Sequence, residues 1–370
     1  LPGGRSAWMI TRYEDADEAL KDPRFIKNPR SVLPPEDLLE NKVPDANVHR
    51  QISSHMLSSD PPDHTRLRSL VNKAFTPRMI EQWRERIQAI TEDMLNAAEQ
   101  KGQMELINDF AFPLPMTVIS EILGIPEEDR LQFRQWSNDF VSSGGDEGQL
   151  QRVYGSMEAF ARYLMKLIAW RSEKPEDDLV SRLVQAESEG DKLSEVELVG
   201  MIFLLLIAGH ETTVNLIGNG VLALLQHPDQ MEKLRQNPDL IKPAIEELLR
   251  YNGPLLTATG RWAREDVEFK GTLIRKGEMV MVALSAANRD GQTFQDADEL
   301  DITRKENQHL AFGKGIHYCL GAPLERLEGQ VAIAALLQRF PSLRLNTDPK
   351  SLTYRSGSLV HALDTLPVAF

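Results

Sequence analysis

The sequence predicts a mainly α-helical chain with a small β-rich region. Three observations carry that reading. Apolar residues recur at helical spacing over long stretches, as in Met79, Ile80, Trp83, Ile87, Ile90 and Met94. One segment, opened by Ser194-Glu195-Val196-Glu197 and running to about Gln226, is almost wholly apolar from Val199 to Ala208, the mark of a buried helix. Short alternating runs are few and lie near the N-terminus, around Met104 and in the last third.

Composition sets the bounds. The chain has 370 residues, 41% hydrophobic and 26% charged, which is the make-up of a soluble globule with a large core. A prior of roughly 150 residues per domain allows two domains. The formal net charge of −13 argues against general nucleic-acid binding. A single cysteine excludes an intramolecular disulfide and fits a reducing cytosol. The longest apolar run, Val199 to Gly209, is about half of the ~20 residues a membrane span needs. No signal peptide opens the chain. The expectation is therefore a cytoplasmic protein without a membrane span.

Taken in order, Trp8 to Tyr13 alternates as a strand, and Glu14 to Leu20 reads as a short helix closed by Asp22-Pro23. Phe25 to Ser59 has little periodicity and several prolines, so it reads as a long irregular loop. Asp60-Pro61-Pro62 has the form of a helix start, with Asp60 as cap. That helix carries His64 and Arg68 four residues apart, on one face. Thr76-Pro77 opens the next helix, whose stripe is core. Met104 to Ile107 is a brief strand. Helical patterns follow at Pro115–Gly124, Glu127–Val141, Leu150–Ser172 and Asp177–Glu189, with a flexible break at Ser142–Gly148. Asp239 to Tyr251 is a helix containing Glu247 and Arg250, an i, i+3 pair that is common on any helix. Short strands at Glu268–Phe269, Leu273–Arg275 and Met279–Val282 are joined by Lys-Gly turns, and Leu343 to Phe370 reads as a weak hairpin.

Two stretches need a chemical reason. Ala208-Gly209-His210-Glu211-Thr212-Thr213 puts a glycine, two threonines and a carboxylate into the middle of the buried helix, where each weakens it or is costly to bury. Phe312-Gly313-Lys314-Gly315-Ile316-His317-Tyr318-Cys319-Leu320-Gly321 holds the only cysteine, just before the helical pattern Ala322 to Phe340. A lone cysteine is usually a small buried hydrophobe. Here, however, phenylalanine, three glycines and histidine stand at fixed offsets, a coincidence of roughly one in a million on average residue usage. A helix N-terminus next to the thiol favours thiolate.

That string resembles the haem-thiolate signature of the cytochrome P-450 superfamily, Phe-Gly-x-Gly-x-His-x-Cys-x-Gly, with every fixed position present. The resemblance extends from Ala7 to the end of the chain, and its motif blocks occur in the family order. It implies the cytochrome P-450 fold, treated as one domain over residues 1–370. Family members usually carry a few dozen residues more, including a first helix, so an N-terminal helix is expected to be missing here. It further implies haem b (iron protoporphyrin IX) as cofactor, with Cys319 as the axial ligand in a loop begun by Phe312 and Gly313. A thiolate ligand favours O–O cleavage. The helix of His64 and Arg68 resembles the one that clamps a haem propionate. Arg261 and His317 match two further propionate donors, which is sound chemistry for carboxylates. Ala208 and Gly209 match the residues that give room to haem and O2, and Glu211 with Thr212 matches the acid–alcohol pair that relays protons. The substrate wall would include Leu204, Ile207 and Ala208, then Leu255, Leu256, Thr257 and Thr259, and Val360 on the last hairpin. The segment 25–59 would touch substrate, and the helices on either side of Ser142–Gly148 would form a lid. Glu247 and Arg250 match a structural ion pair whose third partner is Arg304 or His309. Arg66, Lys73, Lys314 and Arg326 would face an electron donor.

The function implied is haem-thiolate monooxygenation of a small apolar substrate by O2, with a ferredoxin or flavodoxin supplying electrons. The texture is nearest to members that tailor macrolides and other polyketides, and a monomer is expected. A peroxide-driven peroxygenase is disfavoured by the intact Glu211 and Thr212. A non-catalytic haem sensor is disfavoured by the same pair and by the absence of an output domain.

Overall fold

The computed structural model describes residues 6–38, 46–141, 147–188 and 190–370. Two interleaved units divide the chain. The first comprises Leu1–Phe25, Pro77–Pro115 and His210–Phe370, and the second Ile26–Thr76 and Met116–Gly209.

In the first unit, a four-stranded sheet runs in the order Trp8–Ile10, Met279–Val282, Arg261–Ala263, Phe25–Ile26, its last strand lying at the unit boundary. Trp8–Ile10 pairs parallel with Met279–Val282, with Trp8 opposite Val280, and Arg261 pairs with Val280 from the other, antiparallel side. One face of this sheet packs Ile10, Val280 and Val282 against Ala16 and Leu20 of the helix Tyr13–Lys21. The hairpin Val267–Phe269 with Thr272–Ile274 turns at Lys270-Gly271, both at positive φ. The expected last hairpin is present: Arg344–Leu345 pairs with Pro367–Ala369, which also pairs with Gln103–Glu105. The helix Ala322–Arg339 packs on Arg84–Glu99 and on Ile241–Asn252.

In the second unit, the helix Glu147–Glu173 places Phe160 against Phe133, 5.0 Å between ring centroids, with Trp136 and Tyr163 completing an aromatic cluster. The long helix Glu195–Gln226 begins here. Ser194 and Glu197 cap it reciprocally: Ser194 N donates to Glu197 Oε2 at 2.8 Å, and Glu197 N donates back to Ser194 Oγ at 3.4 Å. By length and composition this helix could cross a membrane, but 72% of its most apolar window is buried, as in a core helix.

Several expectations are corrected. Asp60 does not cap the following helix, which spans Asp63–Ala74 and has no side-chain cap. Its carboxylate instead accepts from the backbone N–H groups of Lys27 and Asn28, at 2.8 and 2.9 Å. The segment from Phe25 to Ser59 is not wholly irregular, because Ala46–Ser53 is helical. The single helix expected from Thr76 is two, Pro77–Gln82 and Arg84–Glu99. The helix expected over Asp177–Glu189 spans only Leu179–Gln185, capped by Asp178. Residues 142–146 of the expected flexible break lie outside the described residues.

The most buried ionic feature is the Glu247–Arg250 pair on Ile241–Asn252. Its side chains are fully buried and joined by two 2.8 Å hydrogen bonds. The third partner is Arg304, which donates to Glu247 at 3.1 and 3.2 Å, while His309 goes to Glu246. Arg250 also donates to the carbonyls of Asn288, Ala297 and Glu299. Removing one member strands buried charge, which costs about 3–5 kcal/mol. Glu247→Gln is accordingly expected to lower stability by about that amount in denaturant unfolding. An unchanged midpoint would show that the network does not hold this unit together.

Candidate haem-thiolate site

The cysteine loop is built from turns that only glycine accommodates easily. Gly313 and Gly315 both have positive φ, 67° and 69°. A Cβ on Gly315 would also fall 2.9 Å from the carbonyl oxygen of Leu20, so the loop lies directly on the end of Tyr13–Lys21. Three backbone bonds close it: Gly313 N to Leu310 O at 2.8 Å, Tyr318 N to Gly315 O at 3.1 Å, and Cys319 N to Phe312 O at 2.9 Å. Cys319 is partly accessible and stands three residues before the first residue of Ala322–Arg339. Among the described residues there is no group of three or more His, Cys, Asp or Glu that could hold a metal ion.

A second set of contacts fixes the loop from the side. The Arg326 guanidinium lies 4.3 Å from the centroid of the Phe312 ring. It donates to both oxygens of Glu246, at 2.7 and 2.8 Å, and to the Tyr318 hydroxyl at 3.2 Å. His309 joins Glu246 at 3.1 Å. Burial works against the Glu246 charge, yet the Arg326 and His309 partners hold its pKa down at about 2. The four basic residues expected to face an electron donor all have acceptors nearby. Arg326 is bound to Glu246, and Arg66 is paired with Glu197 and Asp191. Lys73 donates to the Glu187 carbonyl at 2.8 Å, and Lys314 lies 3.9 Å from Asp17.

The remaining site residues divide between the units. In the first unit Arg261 is buried on its strand and donates to the Phe25 carbonyl at 3.3 Å, and His317 sits in the short turn Gly315–His317 before the thiol. Leu255 and Val360 face one another in an isolated antiparallel bridge, which brings two expected pocket segments together. Leu256 and Thr259 are half-buried beside them in sequence, whereas Thr257 is buried and donates its hydroxyl to the Ser358 carbonyl at 2.9 Å. In the second unit His64 is buried on Asp63–Ala74, and Arg68 is half-buried one turn later. Burial, then the nearby Arg68 charge, lowers the His64 pKa. Leu204, Ile207, Ala208 and Gly209 lie on the long helix in the same unit. Most of that helix is buried, but Ala208 is exposed and Leu204, Ile207 and Gly209 are half-exposed. A Cβ on Gly209 would meet Ile119 only at ordinary contact distances of 3.5 and 3.6 Å, so packing within the unit does not demand a glycine there. The donor chemistry in the two units, a thiol with cationic and imidazole groups, is of the kind a haem requires.

Glu211 and Thr212 point to different partners. Glu211 Oε1 accepts from Arg355 at 3.0 Å and from the Asn215 amide at 3.4 Å. Thr212 Oγ1 donates to Glu325 Oε2 at 3.2 Å. Glu325 and Glu328, buried one turn apart on Ala322–Arg339, were missed by sequence reasoning, as were Glu246 and Arg355. Burial pushes Glu325 up to about 7 and Glu328 well above the ordinary carboxylate range. Two glutamates three apart on a helix that otherwise buries Leu324, Leu327, Ala332 and Ile333 were the available signal.

Comparison with known proteins agrees with this geometry. The family model described as "Cytochrome P450" matches residues 147–365. "Cytochrome P450 CYP107DY1" of Priestia megaterium is 49% identical over 370 residues, spanning 98% of this chain and 90% of the relative. "Polyketide biosynthesis cytochrome P450 PksS" of Bacillus subtilis is 47% identical over 98% of this chain and 89% of its own. The solved structure of PksS superposes with a TM-score of 0.93 at 46% identity, covering 100% of this chain and 92% of that one. The structure of the myxobacterial cytochrome P450 CYP267B1 in complex with myristic acid gives 0.93 at 44% identity, over 99% and 90% of the two chains. A cysteine loop of this construction, the fold around it and near-complete coverage at close to half identity lead to one conclusion: the chain belongs to the cytochrome P450 family of monooxygenases, whose cofactor is haem.

Proposed function

We propose that the protein places one atom of O2 into a C–H bond or across an alkene of an apolar small molecule of the polyketide or macrolide kind, the other atom leaving as water. Electrons come from a separate ferredoxin or flavodoxin, and the protein works as a cytoplasmic monomer. The observation that carries the reading is the glycine-turned loop that holds Cys319 three residues before a helix, braced by Arg326 and Glu246. The polyketide assignment is supported by the name of PksS, and an apolar chain as ligand by the myristic acid bound to CYP267B1.

Haem b, held through Cys319, supplies the redox-active iron at which O2 is activated. His64, Arg68, Arg261 and His317 would donate to its propionates. Leu204, Ile207, Leu255, Leu256 and Val360 present apolar surface that selects an apolar substrate and excludes water. Thr257, whose hydroxyl is engaged by Ser358, offers only its methyl group. Thr259 borders the same segment. Ala208 and Gly209 keep side-chain bulk away. Thr212 holds a proton at Oγ1, and Glu211 connects the site to solvent protons, oriented by Arg355 and Asn215.

Three outcomes test this. The reduced carbon-monoxide complex is expected to show the far-red-shifted Soret band of thiolate ligation, and Cys319→Ser is expected to lose it. A spectrum of histidine ligation would refute the central assignment. Alanine at His64, Arg68, Arg261 or His317 removes a charge-assisted bond worth on the order of 1.5–3 kcal/mol, so haem retention should fall roughly 10- to 100-fold while the ligand spectrum stays unchanged. Full haem occupancy in a triple variant would count against the propionate assignment. Thr212→Ala is expected to keep haem and substrate affinity, to go on consuming reduced cofactor, and to release mostly hydrogen peroxide. Wild-type coupling in that variant would reduce Thr212 to a packing residue.

A further inference from the structure

The Thr212 hydroxyl is aimed at a carboxyl group that has no place in the motif. Glu325 stands on Ala322–Arg339 and is 6% exposed, with Oε2 at 3.2 Å from Thr212 Oγ1. Its other oxygen, Oε1, is buried and has no hydrogen-bond partner. The charges around it give little support to an anion. Arg326, the cation that acts on it, is engaged by both oxygens of Glu246, whose own negative charge opposes ionisation. Glu328, one turn further along the same helix and beside Thr213, adds a second acidic group. A buried carboxylate in this setting is costly, whereas a neutral acid needs far less support. Burial therefore pushes Glu325 up to about 7, with the Thr212 hydrogen bond only partly opposing it. Glu211 has other partners, Arg355 at 3.0 Å and the Asn215 amide at 3.4 Å.

We propose that Glu325 is the carboxylic acid that reloads the Thr212 hydroxyl with a proton during turnover. This rests on Thr212 being the proton-handling hydroxyl of the proposed reaction. Thr212 gives its own proton to the oxygen being reduced. When Glu325 is protonated the Thr212 hydroxyl turns, so that the 3.2 Å hydrogen bond runs from Glu325 Oε2–H to Thr212 Oγ1. In the same step this O–H bond of Glu325 breaks and a new O–H bond forms on Thr212 Oγ1. Glu325 is left as carboxylate and is reprotonated by a hydronium ion of the solvent, and no electrons move in this exchange. Glu325 acts through Thr212 and does not itself touch the reacting atoms. The acid is loaded below its pKa and empties as pH rises through about 7. The share of electrons reaching product should therefore fall, and the peroxide share rise, across that interval.

The test uses the holoenzyme with substrate and its electron donors, comparing wild type, Glu325→Gln, Glu325→Asp and Thr212→Ala. Two quantities are followed from about pH 5 to about pH 9: the infrared carbonyl band of a buried protonated carboxylic acid, and the partition of electrons between product and peroxide. In wild type, a band that bleaches with a midpoint near 7 and is missing in Glu325→Gln is expected. Glu325→Gln should raise the peroxide share by roughly 10-fold and make it independent of pH, since a glutamine can hold Thr212 but carries no proton to give. Glu325→Asp should restore part of the coupling with a shifted midpoint, which a purely structural role would not produce. Wild-type partition in Glu325→Gln, with Thr212→Ala uncoupled, would overturn the role of Glu325 and leave the Thr212 reading intact. Full coupling in Thr212→Ala would overturn both. If Glu325→Gln does not retain haem, an unshifted pH midpoint in Glu325→Asp would equally overturn the proposal.

Discussion

Two neighbouring glutamates on the helix Ile241–Asn252 bear the electrostatic load of the first unit. Glu247 is sealed against Arg250 and Arg304, while Glu246 reaches Arg326 and His309. Burying a charge without a partner is prohibitive, so each carboxylate compels its cations to come to it. The cations are also the struts of other segments. Arg250 gathers the carbonyls of residues 288, 297 and 299, and Arg326 lies over Phe312 at the start of the cysteine loop. One helical turn thus ties a long meander and the cysteine loop to the same rigid element.

The loop is held by that constraint together with its own turns. Its backbone passes twice through the left-handed region, at Gly313 and Gly315, and backbone bonds at Gly313, Tyr318 and Cys319 close it. Contact with the end of Tyr13–Lys21 presses on it from one side and the Arg326 clamp from another.

Proton handling follows a different logic. Glu211 and Thr212 are adjacent in sequence, and successive residues on a helix do not face one another. They consequently diverge, Glu211 to a cation and an amide, Thr212 to a buried acid. The two side chains therefore sit in different surroundings, Glu211 beside a cation and Thr212 beside a buried carboxyl group.

Much of this was legible in the chain itself. The helical stripes, the all-apolar core helix and the cysteine string with its glycines are local patterns, set by backbone period and by the positive φ that glycine alone tolerates well. The fold class follows from the helical patterns, and the expected site residues come from the resemblance that the cysteine string carries. What sequence could not decide is where long-range partners lie. Arg304 and His309 were equal candidates for Glu247 until the meander placed one on Glu247 and the other on Glu246. Asp60 had the sequence of a helix cap, yet the backbone of residues 27 and 28 offered it two N–H donors instead. Arg326 read as one of four basic residues, with no sign of its Glu246 partner, and Glu325 as nothing at all, because the environment of a charge is made by segments distant in sequence. Burial and pairing energies of several kcal/mol come from those tertiary neighbours and outweigh local preference, so the electrostatics of the site were decided by the folded structure alone.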